Sequence, residues 1–486
     1  MDVREPLLFT RRAMLPLALA SVLGTTDPIA SHAAVATTYT VANCEDKGAG
    51  TLRDALVGAP SGSIVDVSQL RCSTISLDNG GIAFSQNDMT IIGPGREALT
   101  IKPGLSTGTG LLLHKGTGTL SITGIAFHDG QLYSASTGAV HGGCLYSHGN
   151  IALTDVELSG CLAISAGPSL NVGGGCAYAN GDISVESSLL HYCQVFTHNG
   201  GDASGGCVLA RGDVTVSGST FDHCHAQDFA GAILTNHHAS IDHSVFTTNS
   251  AKKTGGIYAT YGLDCAYSSI TGNGGGVGGG VTTFAQTTLD SCLISDNFGT
   301  RGSGMYVGGR FGGTLNIVNS TISGNFGAVR GPGVASGLPT TISNSTITDN
   351  RGLNDDIAAV HMEAAVNLTL QSSIVARNGQ YGLSVDIDGV AGSSISGANN
   401  IVTDSPLALP FGTITSDPLL GPLRDNGGLT RTHTLRRGSP AINAGNNSAP
   451  RMFDQRGSPH RRVMGTRQDI GAFEADPDQV FADRFE

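Results

Sequence analysis

Residues Leu315–Asn325 read LNIVNSTISGN and residues Thr340–Asn350 read TTISNSTITDN, one short sentence written twice. Counting back from each closing asparagine, a bulky apolar residue stands at three positions and again at eight, with serine at five. Working outward, the same rule holds at closing residues 161, 193, 224, 249, 273, 297, 325, 350 and 378, mostly 24 to 28 residues apart, with Val156 and Cys292 in place of serine at two of them. The column three back runs from Leu158 through Phe221 and Ile294 to Val375, and the column eight back from Leu153 through Val216 and Leu289 to Leu370. Such a period is that of a solenoid. Pairs such as Ile183 with Val185 and Val214 with Val216 alternate as a strand with one buried face does. A repeat of this length has no room for a crossover helix, so its strands stack in parallel through turns, about 4.8 Å apart. The expected fold is all-β: a single-stranded right-handed parallel β-helix, its hand taken from the general preference of parallel connections. Asparagines stacked in the closing column are expected to bond to their copies above and below, each bond adding about 1 kcal/mol.

Composition agrees. The chain has 486 residues, 70 of them glycine, no tryptophan and 14% charged residues, which suits tight turns and short strands. A formal charge of −12 with no basic stripe argues against nucleic acid as a partner. Arg4, Arg11 and Arg12 precede the apolar run Met14–Gly24, too short to span a bilayer but suited to the core of a signal peptide. Ser31-His32-Ala33 offers a cleavage point, and the paired arginines resemble a twin-arginine export signal. Residues 1–33 are therefore read as a signal peptide, and the mature chain as an exported monomer without a transmembrane helix.

From residue 34 to 80 the chain reads as a cap: strand, turn, short helix, turn, strand. Thr51 is placed to cap the helix with Asp54 three residues on, and Leu52, Ala55 and Leu56 fall on one face. A helix there covers the open end of the first coil. Cys44 and Cys72 flank it, and a disulfide between them is the preferred pairing. Cys161, Cys193 and Cys224 occupy the closing column of the early copies, and Cys144, Cys176 and Cys207 form a second column after Gly-Gly pairs. Three per column cannot all pair within it, so they read as small buried thiols packed as hydrophobes, with a chain of bridges as the other reading.

The openings GGCLY, GGCAY and GGCVL and the endings FTTN, ITGN and ISDN resemble the repeats of polymorphic outer-membrane proteins and other bacterial right-handed β-helix proteins. Ser416–Asn446, with Asp454–Gly457 and Gln468–Glu474, resembles the choice-of-anchor Q region of such proteins. The resemblance implies a secreted or surface-displayed β-helix of a Gram-negative-type bacterium, with attachment that differs between members and no catalytic residues to carry over. The β-helix is accordingly assigned to 81–415, an irregular C-terminal lid to 416–474, and a tail resembling a sorting tag to 475–486.

Three consecutive connections, Gln131–His141, Leu162–Gly173 and Gln194–Ser204, are about twice the usual length. In a stacked fold they form a ridge. Beside it the repeat places His191 next to Asp222 and Tyr192 next to His223, the candidate binding residues. Asp182 stacks on Asp213, two carboxylates about 5 Å apart that repel unless a cation lies between them; calcium is the cofactor they suggest. Two function classes follow: an adhesin-like scaffold for a polysaccharide or cell-surface ligand, or, by fold analogy alone, a polysaccharide lyase or glycoside hydrolase. Without tryptophan, sugar stacking falls to Tyr146, Tyr178 and Tyr258.

Overall fold

The computed structural model describes residues 36–476 apart from 105–107, 135–139, 169–170, 354–356, 380–384 and 447–450. The expected signal peptide and the tail beyond 476 lie outside the described residues. Among the described residues, those from Thr38 to Val402 form a parallel β-helix, with a single α-helix near its start. One coil shows the plan. Ile183–Glu186 and Leu189–His191 lie in a 25-stranded long sheet, Gln194–Asn199 leaves the body as an arm, and Val208–Ala210 joins a 12-stranded sheet. Stacking is in register: Val185 pairs with Val216, Val216 with Ile241, and Ile317 with Ile342. These inward residues are fully buried, as are Phe221 and Phe246, whose rings stack at 4.8 Å. Each such side chain contributes roughly 1.5–3 kcal/mol.

Two columns hold the corners. Gly160, Tyr192, His223, Asp296 and Asp349, one before the closing residue, all have φ between 51° and 63°. Asp155, Ser187, Asn319 and Asn344, six before it, have φ between 47° and 53°. Left-handed backbone costs least with Gly, Asn or Asp, which is why the repeat spells Gly-Asn and Asp-Asn at its end.

Polar ladders and disulfides divide the coils between them. Asn249, Asn273, Asn297, Asn325 and Asn350 each donate a side-chain N–H to the next amide oxygen, at 2.8–3.0 Å, as far as Asn378. That file ends on buried Asp386, whose Oδ1 accepts from Asn378 at 2.9 Å. In the coils before Asn249 its place is taken by Cys144–Cys161, Cys176–Cys193 and Cys207–Cys224. The reading of these six cysteines as packed thiols is therefore corrected. Pairing runs from one column to the other across each coil, with Cα atoms 5.4–5.5 Å apart, so the count of three per column sets no limit. Cys44–Cys72 forms as expected.

At the N-terminal end Thr51 caps the helix Leu52–Gly58 by accepting the Asp54 N–H at 3.2 Å, and Leu52 and Leu56 are buried. At the other end Leu407 and Leu409 pack on the core. The segment from 416 onward does not end the stack. It runs along the flank of the long sheet, where Gln455 meets Thr321, His433 meets Ser323 at 2.8 Å, and the Gly471 N–H donates to the Ser372 carbonyl at 2.9 Å. Outward residues Leu293, Thr321, Thr346 and Ile374 are buried beneath it, whereas Val245, in the same column, is exposed. The expected lid is therefore a lateral strap, held by a buried cluster of Asp454, Arg456, Arg462, Asp469 and Glu474.

Candidate functional site

The three long connections build paired strands that project from the body. Gln131–Ser134, Leu162–Pro168 and Gln194–Asn199 run out side by side, and Val140–His141, Val172–Gly173 and Ala203–Ser204 return. Each disulfide of the armed coils lies at the base of these arms, Cys161 and Cys176 bracketing one, Cys193 and Cys207 the next. A bridge that closes a 17-residue separation adds about 3 kcal/mol by restricting the unfolded chain. The staples thus sit where a long excursion most weakens a coil.

The arms stand against the 12-stranded sheet. Its outward middle column reads Leu113, Tyr146, Tyr178, Leu209, Leu234, Tyr258, Thr282 and Tyr306 in register. Tyr146 and Tyr178 lie parallel with centroids 5.4 Å apart, and His141, from the arm, stacks on Tyr178 at 4.0 Å. Tyr178 accepts a bond from Arg211 Nε at 2.7 Å and is buried, so it supports the stack and is not itself a contact surface. His141 divides the groove into two recesses. One, about 590 Å³, is lined by Leu113, Lys115, Leu132, Tyr146 and His148; the other, about 310 Å³, by Asp202, Leu209, Arg211, Asn236 and Tyr258. Burial, then the Arg211 charge, holds the His141 imidazole at a pKa of about 4, so it is neutral at physiological pH. Burial likewise raises the Tyr146 and Tyr258 phenols, which stay protonated and able to donate.

The residues expected from sequence come together only in part. His191 is paired in register with Asp222, and Tyr192 stacks on His223 at 5.0 Å. Their side chains take other partners, however: His191 Nε2 lies 3.1 Å from Glu157, which also meets His128 at 3.1 Å, and Asp222 lies 2.7 Å from His223 Nδ1. All four sit on or beside the long sheet, and none lines either recess. Asp182 and Asp213 do stack, but each carboxylate accepts a backbone N–H from the following coil, Asp182 from Asp213 at 2.8 Å and Asp213 from His238 at 3.0 Å. Hydrogen bonds to the charged form offset the repulsion that suggested calcium. Of the groove residues, Tyr146, Tyr178 and Tyr258 were legible as candidate sugar-stacking side chains; His141 was not, because its ring reaches Tyr178 only through the path of the arm.

A second outward cluster lies further along the same sheet. His361 Nδ1 meets Asp388 at 2.5 Å, His361 Nε2 lies 3.7 Å from Glu363, and Glu363 is paired with Arg301. His361 is 5% exposed.

No family model matches the chain, and no curated protein does. Among solved structures, the crystal structure of pectate lyase Pel9A is similar in chain path, with a TM-score of 0.35 and 12% identity over 91% of this chain and 98% of that one. At that score the likeness says nothing about activity, and the assignment of a parallel β-helix rests on the strand register itself. No helix among the described residues is long and apolar enough to cross a membrane.

Proposed function

We propose that the protein is an exported, surface-associated or secreted β-helix scaffold that binds a polysaccharide or cell-surface ligand along the groove between the arms and the 12-stranded sheet. The observation that carries this reading is the His141–Tyr178–Tyr146 stack, which sets one partly exposed phenol, Tyr146, in the larger recess, with Tyr258 in the smaller. Flat rings with a hydrogen-bonding edge suit the alternating apolar faces and hydroxyls of sugars. Four disulfides suit an oxidising compartment, which supports export. The likeness of 416–474 to a choice-of-anchor Q region supports display at a bacterial outer surface.

A carbohydrate-active enzyme is the second reading, favoured by the Asp388–His361 pair on the same sheet face. Burial of that imidazole keeps it from a polymer lying in the groove, and binding is the reading we adopt. The test is a panel of polysaccharides offered to the parent chain, to Tyr146→Ala with Tyr258→Ala, and to a variant whose three arms are cut to short turns. Binding that weakens at least about ten-fold in both variants supports the groove. Binding unchanged in a folded short-armed variant refutes it, and unsaturated or reducing sugar products from the parent chain establish the enzyme.

A further inference from the structure

We propose a second ligand site, independent of the groove, in the cleft between the strap and the later coils, with an acidic saccharide as its ligand. The cleft has a volume of about 610 Å³ and is closed on one side by Leu420, Pro422 and Leu423 of the strap. Opposite them, Phe298, Phe326 and Arg351 stand in one file, paired residue to residue between successive coils. Phe298 is 55% exposed and Phe326 37%, large outward rings left open to solvent, whereas the inward Phe127, Phe221 and Phe246 are fully buried. An exposed aromatic pair inside a cleft marks a contact surface.

Charge decides what it contacts. Both acids of the cleft already have guanidinium partners, Asp296 with Arg431 at 3.5 Å and Asp349 with Arg377 at 3.6 Å. Arg351 and Arg436 line the same cleft and have no carboxylate within ion-pair distance among the described residues. On a chain of net charge −12, two guanidiniums with no carboxylate partner among the described residues, beside two open rings, form a local anion site. A guanidinium fork holds a carboxylate or sulfate in two parallel bonds, and the rings take the apolar face of the sugar that carries it. A peptide is the poorer fit. The two rings lie on adjacent strands, and the Phe326 strand is paired on both sides, with the Phe298 and Arg351 strands, so a peptide cannot add as a strand beside it.

The test uses one backbone with three charges: dextran, carboxymethyl-dextran and dextran sulfate oligomers, titrated into the full chain by calorimetry. Binding of one or both anionic oligomers without binding of dextran is expected, and which of them binds tells carboxylate from sulfate. Arg351→Ser with Arg436→Ser weakens it at least about ten-fold, and Phe298→Ala with Phe326→Ala weakens it as well, while melting temperatures stay unchanged. Tyr146→Ala with Tyr258→Ala leaves it intact, which separates this site from the groove. The proposal is overturned if neither anionic oligomer binds, if dextran binds equally, or if the groove variant abolishes binding. It also fails if poly-glutamate competes as well as the oligomers, or if the Phe variant binds like the parent.

Discussion

Asn297 donates twice to one oxygen of Asn325, through its side-chain N–H at 2.9 Å and its backbone N–H at 3.0 Å. Its own amide oxygen accepts the same two donors from Asn273, and its side chain also donates to the Ile270 carbonyl at 2.9 Å. A buried amide with no unmet donor or acceptor is stabilising, and removing it strands its neighbours.

Asn297→Ala therefore removes the acceptor shared by both Asn273 donors and leaves the Asn273 backbone N–H unpaired, at a cost of about 1–3 kcal/mol. Hydrogen exchange should rise at Ser269–Thr271 and Leu293–Ser295 first, because coils in a solenoid couple mainly to their neighbours. Exchange unchanged in those strands contradicts the ladder's role.

Reduction should act on the other half of the body. Opening Cys144–Cys161, Cys176–Cys193 and Cys207–Cys224 removes about 3 kcal/mol each from the armed coils and little from those held by asparagines. Exchange mapped with and without reductant checks this, and uniform loosening along the chain contradicts it.

The strap carries a pH dependence. Its buried cluster sets Asp454, Asp469 and Glu474 against Arg456 and Arg462, one negative charge too many, and burial followed by the Asp469 charge lifts Glu474 from 4.5 to about 7. A carboxyl whose folded pKa stands above its unfolded one stabilises fully below the unfolded value and ceases to as pH rises through the folded value. The strap is expected to lose on the order of 2 kcal/mol between pH 5 and pH 8, read as protease sensitivity or a melting shift, and Glu474→Gln to flatten that dependence. A strap equally stable at both pH values contradicts this.

His141 gives a local check on the groove. Burial and Arg211 keep it neutral, with a pKa of about 4, so its ring signals should not titrate between pH 5 and 8, and Arg211→Met should raise the pKa. A titration near the ordinary histidine value means the arm does not lie on Tyr178.

The repeat made the stack legible because each column is a sum over many copies: Ile294, Ile322 and Ile347 name the core, and Asn297, Asn325 and Asn350 the ladder. A linear period reports what lies above and below a residue; it does not report what faces it across a coil. That is why Cys144 and Cys161 were placed in separate columns with no sign that the columns meet. The strap repeats nothing, so its path had no periodic trace. Two before the closing residue the strap buries Ser295, Ser323, Thr348 and Ala376, yet Ser159, Thr247 and Thr271 in the same column are as small and only half-buried, so side-chain size carried no signal. The partners of His191 and Asp222 were hidden for a related reason: neighbours in register need not direct their side chains at one another, and these two turn to Glu157 and His223.

Which face holds the ligand separates the groove from the long sheet. Hydroxyl-radical footprinting of the chain with a bound oligosaccharide reads this directly at aromatic side chains. Protection of Tyr146 and Tyr258, with Tyr192 as reactive as in the free chain, is the expected result. Protection of Tyr192 and His223, with Tyr146 and Tyr258 unchanged, would place the site on the long sheet and contradict the groove.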